Sequence, residues 1–141
     1  MTNRSRARIF AGLAALSLAV LAPINSAQAA TKLAFTDAEN HRVISIKANT
    51  QVSITLNSTF WLDATATNLK AVKAKSQTVI PFGPTAPEGC QHPGTGCGTS
   101  IWVFKATKKG PASFTVSRDS CGEALRCTGA NATYLLRFLV K

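Results

Sequence analysis

Ala112-Ser113-Phe114-Thr115-Val116-Ser117 puts an apolar side chain at every second position and a hydroxyl between each. Side chains of an extended strand alternate between its two faces, so this stretch shows one face to a core and the other to water. The same period runs outward along the chain. Val52, Ile54 and Leu56 alternate with Gln51, Ser53 and Thr55, and Ile101 to Ala106 is a dense β run. Tyr134, Leu136, Phe138 and Val140 alternate with Leu135, Arg137 and Leu139. That last run is apolar on both faces except at Arg137, which predicts an internal place in a sheet.

Breakers fall between the runs. Pro81, Gly83, Pro84, Pro87, Gly89, Pro93, Gly94, Gly96 and Gly98 make residues 81–100 one long loop. Lys108-Lys109-Gly110-Pro111 reads as a tight turn, and Ser120 to Asn131 as another loop. No stretch after residue 29 has a persuasive helical period; Glu123-Ala124-Leu125-Arg126 is expected to form one turn at most. About seven or eight short strands, with turn signals every 8–12 residues or so, predict an all-β, immunoglobulin-like antiparallel β sandwich. Its core is expected to hold Val52, Ile54, Trp61, Phe114, Val116, Tyr134, Leu136 and Phe138. If Ile101 and Val103 face that core, Trp102 faces outward beside the long loop.

The amino terminus has a different character. Arg4, Arg6 and Arg8 precede an apolar run from Ile9 to Ala22, then Pro23 and the small-residue end Ala27-Gln28-Ala29. These are the parts of a secretory signal peptide over residues 1–29. The run is short for a membrane span, which needs about 20 apolar residues. The chain is expected to be secreted, periplasmic or extracellular, with no membrane span. Residues 30–141 then form one domain, whose 13 Lys and Arg (16 less the 3 of the leader) face 6 acids, a net charge of +7. Such a charge favours anionic partners, while lysines on strand edges also deter edge pairing. An exported chain without a nucleic-acid motif points away from nucleic acid.

Four cysteines stand in two close pairs, Cys90 with Cys97 and Cys121 with Cys127. In an exported chain an even count reads as disulfides, and four cysteines allow three pairings. The local pairing is simplest, because each pair brackets a Gly-containing loop. Each bridge would stabilise the fold by roughly 2–3 kcal/mol. Zinc, with His92 between the first pair, is the competing reading, but these spacings are wider than those of ordinary zinc sites. No metal and no cofactor is expected.

Nothing here reads as catalytic. His41 and His92 have no carboxylate or nucleophile beside them in sequence, the six acids are scattered, and oxidised cysteines are poor nucleophiles. The domain is expected not to be an enzyme.

From Gln51 to the end the chain resembles the chagasin-like domain, an immunoglobulin-type inhibitor of papain-like cysteine peptidases. That family presents three loops at one end of its sandwich, with the signatures Asn-Pro-Thr-Thr-Gly, Gly-x-Gly and Arg-Pro-Trp. Gly94-Thr95-Gly96 stands just before the Ile101 to Ala106 run, where the family has Gly-x-Gly. Lys108 to Ala112 matches the Gly turn that follows, Arg118 stands where the third loop begins, and Tyr134 to Val140 matches the terminal strand. The first signature is missing, since Asn57-Ser58 runs directly into Thr59-Phe60-Trp61, and Asp119-Ser120 replaces the Pro-Trp of the third.

The resemblance implies a cysteine peptidase inhibitor or a derivative of one. It implies a monomer with a protein partner, a papain-like peptidase being the candidate, bound through Thr59, Phe60, Gly94, Thr95, Gly96 and Arg118. A non-inhibitory extracellular or cell-envelope binding module is the alternative. Arg118 has a competing internal role, pairing with Asp119 or Glu123. Asn57-Ser58-Thr59 and Asn131-Ala132-Thr133 also fit the N-glycosylation pattern, which matters only in a host that glycosylates.

Overall fold

The computed structural model describes residues 30–122 and 125–141. The expected leader lies outside them, as do Glu123 and Ala124 of the expected turn. Eight strands follow in order: β1 Lys32–Phe35, β2 Val43–Ile46, β3 Gln51–Asn57, β4 Thr65–Thr67, β5 Leu69–Val79, β6 Gly98–Ala106, β7 Gly110–Ser117 and β8 Thr133–Val140. They form two four-stranded sheets, β1-β3-β6-β5 and β2-β8-β7-β4, packed face to face. The expected sandwich is present, with β8 internal between β2 and β7.

Strand directions add something that alternation does not reveal. The inner pairings are antiparallel, but β1 pairs parallel with β3 and β2 parallel with β8. After β1 the chain crosses between the sheets through a 3-10 turn, Asp37–Glu39, and returns as β2 on the other side. Each of these edge strands thus lies beside a strand running its own way. Period two sets which face a residue takes, not which way its neighbour runs.

All eight expected core residues are buried, together with Phe35, Ile46, Leu56, Trp102, Phe104, Ala106, Ala112 and Val140. Phe114 sits at the centre. Its ring meets Trp102 at 5.4 Å, Phe104 at 5.5 Å and Tyr134 at 6.1 Å between centroids, all edge to face. Such pairs add to the burial of large apolar rings. The expectation for Trp102 is corrected here. Trp102 lies opposite Ile54, and Phe104 opposite Val52. The β3 phase is fixed by three fully buried aliphatics, so β6 must turn Trp102 and Phe104 inward, leaving Ile101 and Val103 half-buried on the outer face.

Connections alternate between the two ends. The β3–β4, β5–β6 and β7–β8 connections gather at one, the loop end. The turns β2–β3, β4–β5 and β6–β7 occupy the other, the turn end.

Candidate functional site

The first loop leaves β3 at Asn57, turns at Ser58 with φ 94°, and is tied at once to the second. Ser58 N–H donates to the Gly98 carbonyl at 2.7 Å and Thr59 N–H to the Gly96 carbonyl at 2.8 Å. The amide of Gln77, on β5, donates to the Thr59 carbonyl at 2.6 Å and to Ser100 Oγ at 3.1 Å. Ser100 Oγ donates in turn to the Ser58 carbonyl at 3.0 Å. Buried Ser100 thus has its polar atom satisfied while fastening the loop. Behind it, Trp61 fills the core and donates its indole N–H to the Asn57 carbonyl at 2.7 Å.

The second loop is bridged from Cys90 to Cys97. Gly94 and Gly96 both have positive φ, +81° and +65°, which a tight return requires. Thr95 Oγ1 donates to the His92 carbonyl at 3.1 Å inside the loop. The third loop is bridged from Cys121 to Cys127 and pinned by Cys127 N–H on the Asp119 carbonyl at 3.0 Å. The local disulfide pairing is therefore the one present.

Arg118 does not pair with Asp119. Its guanidinium lies over the Trp61 ring, 4.5 Å from the centroid, and its Nε donates to the Asn131 carbonyl at 2.8 Å. Across the sandwich wall, Lys75 Nζ donates to the Trp61 carbonyl and lies 5.6 Å from the Trp102 ring centroid. Both cations rest on aromatic faces and fix the neck of the loop end.

An open cleft of about 230 Å³ lies between the first two loops, lined by Thr59, Phe60, Val79, Ile80, Phe82, His92 and Gly94 to Cys97. Five of the six sequence-predicted binding residues line it. Arg118 stands below, at the neck. A second cleft, lined by Gly89, His92, Thr95, Cys121, Gly122 and Leu125, joins the second loop to the third. Val79 and Phe82 are 66% and 63% exposed, large apolar side chains that a monomer gains nothing by showing to water. Val79, Ile80 and Phe82 are not among the expected binding residues: Val79 closes β5 and Ile80 follows it, ahead of the breaker-rich stretch, and within that stretch the one signal is an aromatic between Pro81 and Gly83. Among the described residues no three His, Cys, Asp or Glu side chains come together as metal ligands. Such a surface can grip an apolar or extended peptide segment.

No family model matches the chain, and no curated protein matches it. Among solved structures it is similar to the cysteine protease inhibitor EhICP2 from Entamoeba histolytica, with 11% identity and a TM-score of 0.55 over 81% of this chain and 99% of that one. It is also similar to amebosin, with 13% identity and a TM-score of 0.51 over 79% of this chain and 98% of that one. At these identities the likeness is one of fold alone.

Proposed function

We propose that the protein is an exported binding domain that engages a papain-like cysteine peptidase through its loop end, as an inhibitor or a derivative of one. The observation that supports this most is the convergence of three loops, two of them disulfide-bridged, around a cleft with exposed Phe82 and Val79. A surface held in shape before it meets its partner loses little conformational freedom on binding. The shared fold with a cysteine protease inhibitor agrees with it. In this reading Thr59, Phe60, Gly94, Thr95 and Gly96 form the contact, Arg118 holds its neck, and the domain acts as a monomer outside the cytoplasm. Disulfides fit such a compartment.

Titration against a panel of papain-like peptidases tests the reading. Inhibition is expected, weaker than that of members carrying the Asn-Pro-Thr-Thr-Gly wedge. Thr95→Trp, which fills the cleft mouth, should abolish it, and Arg118→Ala should weaken it. Inhibition untouched by both substitutions would place the contact elsewhere. The missing first signature favours a second reading, an extracellular or envelope module that binds a protein without blocking a peptidase. Stable binding to a peptidase whose activity is unchanged would select it.

A further inference from the structure

Charge is segregated along the long axis of the sandwich. The acids among the described residues, Asp37, Glu39, Asp63, Glu88 and Asp119, all lie at the loop end, in its connections or in the 3-10 turn whose Asp37 carboxylate accepts from Asn57 N–H. The turn end holds lysines alone. Lys105 and Lys70 are direct partners on β6 and β5, and Lys32 stands in the same cross-strand row, opposite Gln51 on β3. With strands about 4.8 Å apart, this row crosses the outer face of one sheet in about 14 Å. Lys47, Lys108 and Lys109 continue it onto the adjoining turns. Among the described residues the one ion pair is Arg42–Glu39, at the far end, so no side-chain carboxylate pairs with these lysines.

This arrangement costs stability. Like charges directly opposite on neighbouring strands repel, their Cβ atoms only about 5 Å apart. Edge protection accounts for Lys70 and Lys32, which lie on the outermost strands. It does not account for Lys105 on an inner strand, nor for the turn lysines. We propose that the turn end is a binding surface for a linear polyanion, a flexible polymer with recurrent phosphate, sulfate or carboxylate groups, read by charge spacing alone. All the cations are lysines, compact point charges rather than planar forks. No aromatic ring stands in the row to stack on a base. A bilayer fits less well, because the lysines wrap from a sheet face onto the turns, and most of the large exposed apolar side chains, Leu62, Val79, Ile80, Phe82 and Leu125, lie at the other end, with Leu139 and Val72 nearer the turns. A polymer held here leaves the loop end pointing away from it, free for a partner.

The test is binding of the protein to long-chain polyphosphate and to dextran sulfate over a range of salt. Both should bind with comparable affinity, uncharged dextran should not, and log affinity should fall linearly with log salt through counterion release. Lys70→Ser with Lys105→Ser should lower affinity about tenfold and the salt slope by about two. That variant loses a repulsive pair, so its melting temperature should hold or rise, separating lost binding from lost fold. Arg42→Ser with Arg126→Ser removes the same net charge from elsewhere and should change affinity less than twofold. No binding at low salt, an equal loss in the arginine variant, a tenfold preference for one polymer backbone, or tighter binding to phosphatidylglycerol vesicles than to either polymer would each overturn the proposal.

Discussion

A Cβ on Gly96 would stand 2.3 Å from Cε2 of Phe60, so the ring of the first loop occupies the space a side chain on the second would need. Gly96 also has φ +65°, a conformation that costs an alanine about 1 kcal/mol. Gly96→Ala should therefore destabilise the domain by about 2 kcal/mol, strain and overpacking together. Denaturant titration should show a lower midpoint with an unchanged slope. Adding Phe60→Ala should return the overpacking part and leave the backbone part. A Gly96→Ala protein as stable as the parent would mean that the two loops are not locked together.

The disulfides close short loops, with sequence separations of 7 and 6, and neither joins one sheet to the other. Replacing Cys90 and Cys97 together by Ser should cost roughly 2–3 kcal/mol through the freer unfolded chain, and replacing Cys121 and Cys127 about as much. The far-UV spectrum should stay that of a β protein, because the core is intact in both. Collapse of the spectrum in either variant would show that the bridges hold the sandwich and not only its loops.

Alternation made the sandwich legible because its buried positions recur every second residue in β3, β7 and β8. It failed at Trp102, where both phases of β6 are apolar. Only the register against Val52, Ile54 and Leu56 decides which one turns inward. The parallel edge pairs were illegible for a different reason: strand direction follows from the crossing at Asp37–Glu39, a long-range event with no local signature. At the site, the Gly94-Thr95-Gly96 turn and the cysteines were readable as loop chemistry. The inward commitment of Arg118 was not, because its partners, Trp61 and the Asn131 carbonyl, are neighbours only after folding.

Thr36 joins both titrating groups that the fold perturbs. Its N–H donates to Glu39 Oε2 at 2.7 Å, and this bond chiefly holds the Glu39 carboxyl below its ordinary range, with smaller help from the Thr36 hydroxyl and Arg42. Its carbonyl accepts from Tyr134 Oη at 3.0 Å, and burial, chiefly, pushes that phenol well above its ordinary value. For Glu39 the folded form favours the charged carboxylate, so its stabilisation is full at neutral pH and is lost as pH falls below about 4. For Tyr134 the folded form favours the neutral phenol, so stability falls as pH rises above about 10, where the unfolded chain ionises. Melting temperature measured against pH should decline on both sides. Glu39→Gln should flatten part of the acid limb and, by removing a nearby negative charge that helps keep the Tyr134 phenol neutral, make the alkaline limb slightly shallower. An acid limb identical to the parent's would remove Glu39 from the account.

Processing after Ala29 is expected to yield a chain beginning Ala30-Thr31-Lys32, and the fold shows why a cut deeper into the chain would be harmful. Thr31 already takes part in the sheet, its carbonyl accepting from Gln51 N–H at 2.8 Å, and β1 begins at the next residue. Phe35 at the end of β1 is buried, and its ring packs on Phe138 at 5.6 Å. An amino terminus at Ala30 leaves all of this in place. A chain starting at Thr36 should lose the edge strand and about 3–5 kcal/mol for the Phe35 side chain alone. Amino-terminal sequencing of the protein recovered outside the cell should read Ala-Thr-Lys. Recovery of a stable product that still carries Met1, or of one that begins beyond Phe35 and melts at the parent's temperature, would refute the assignment.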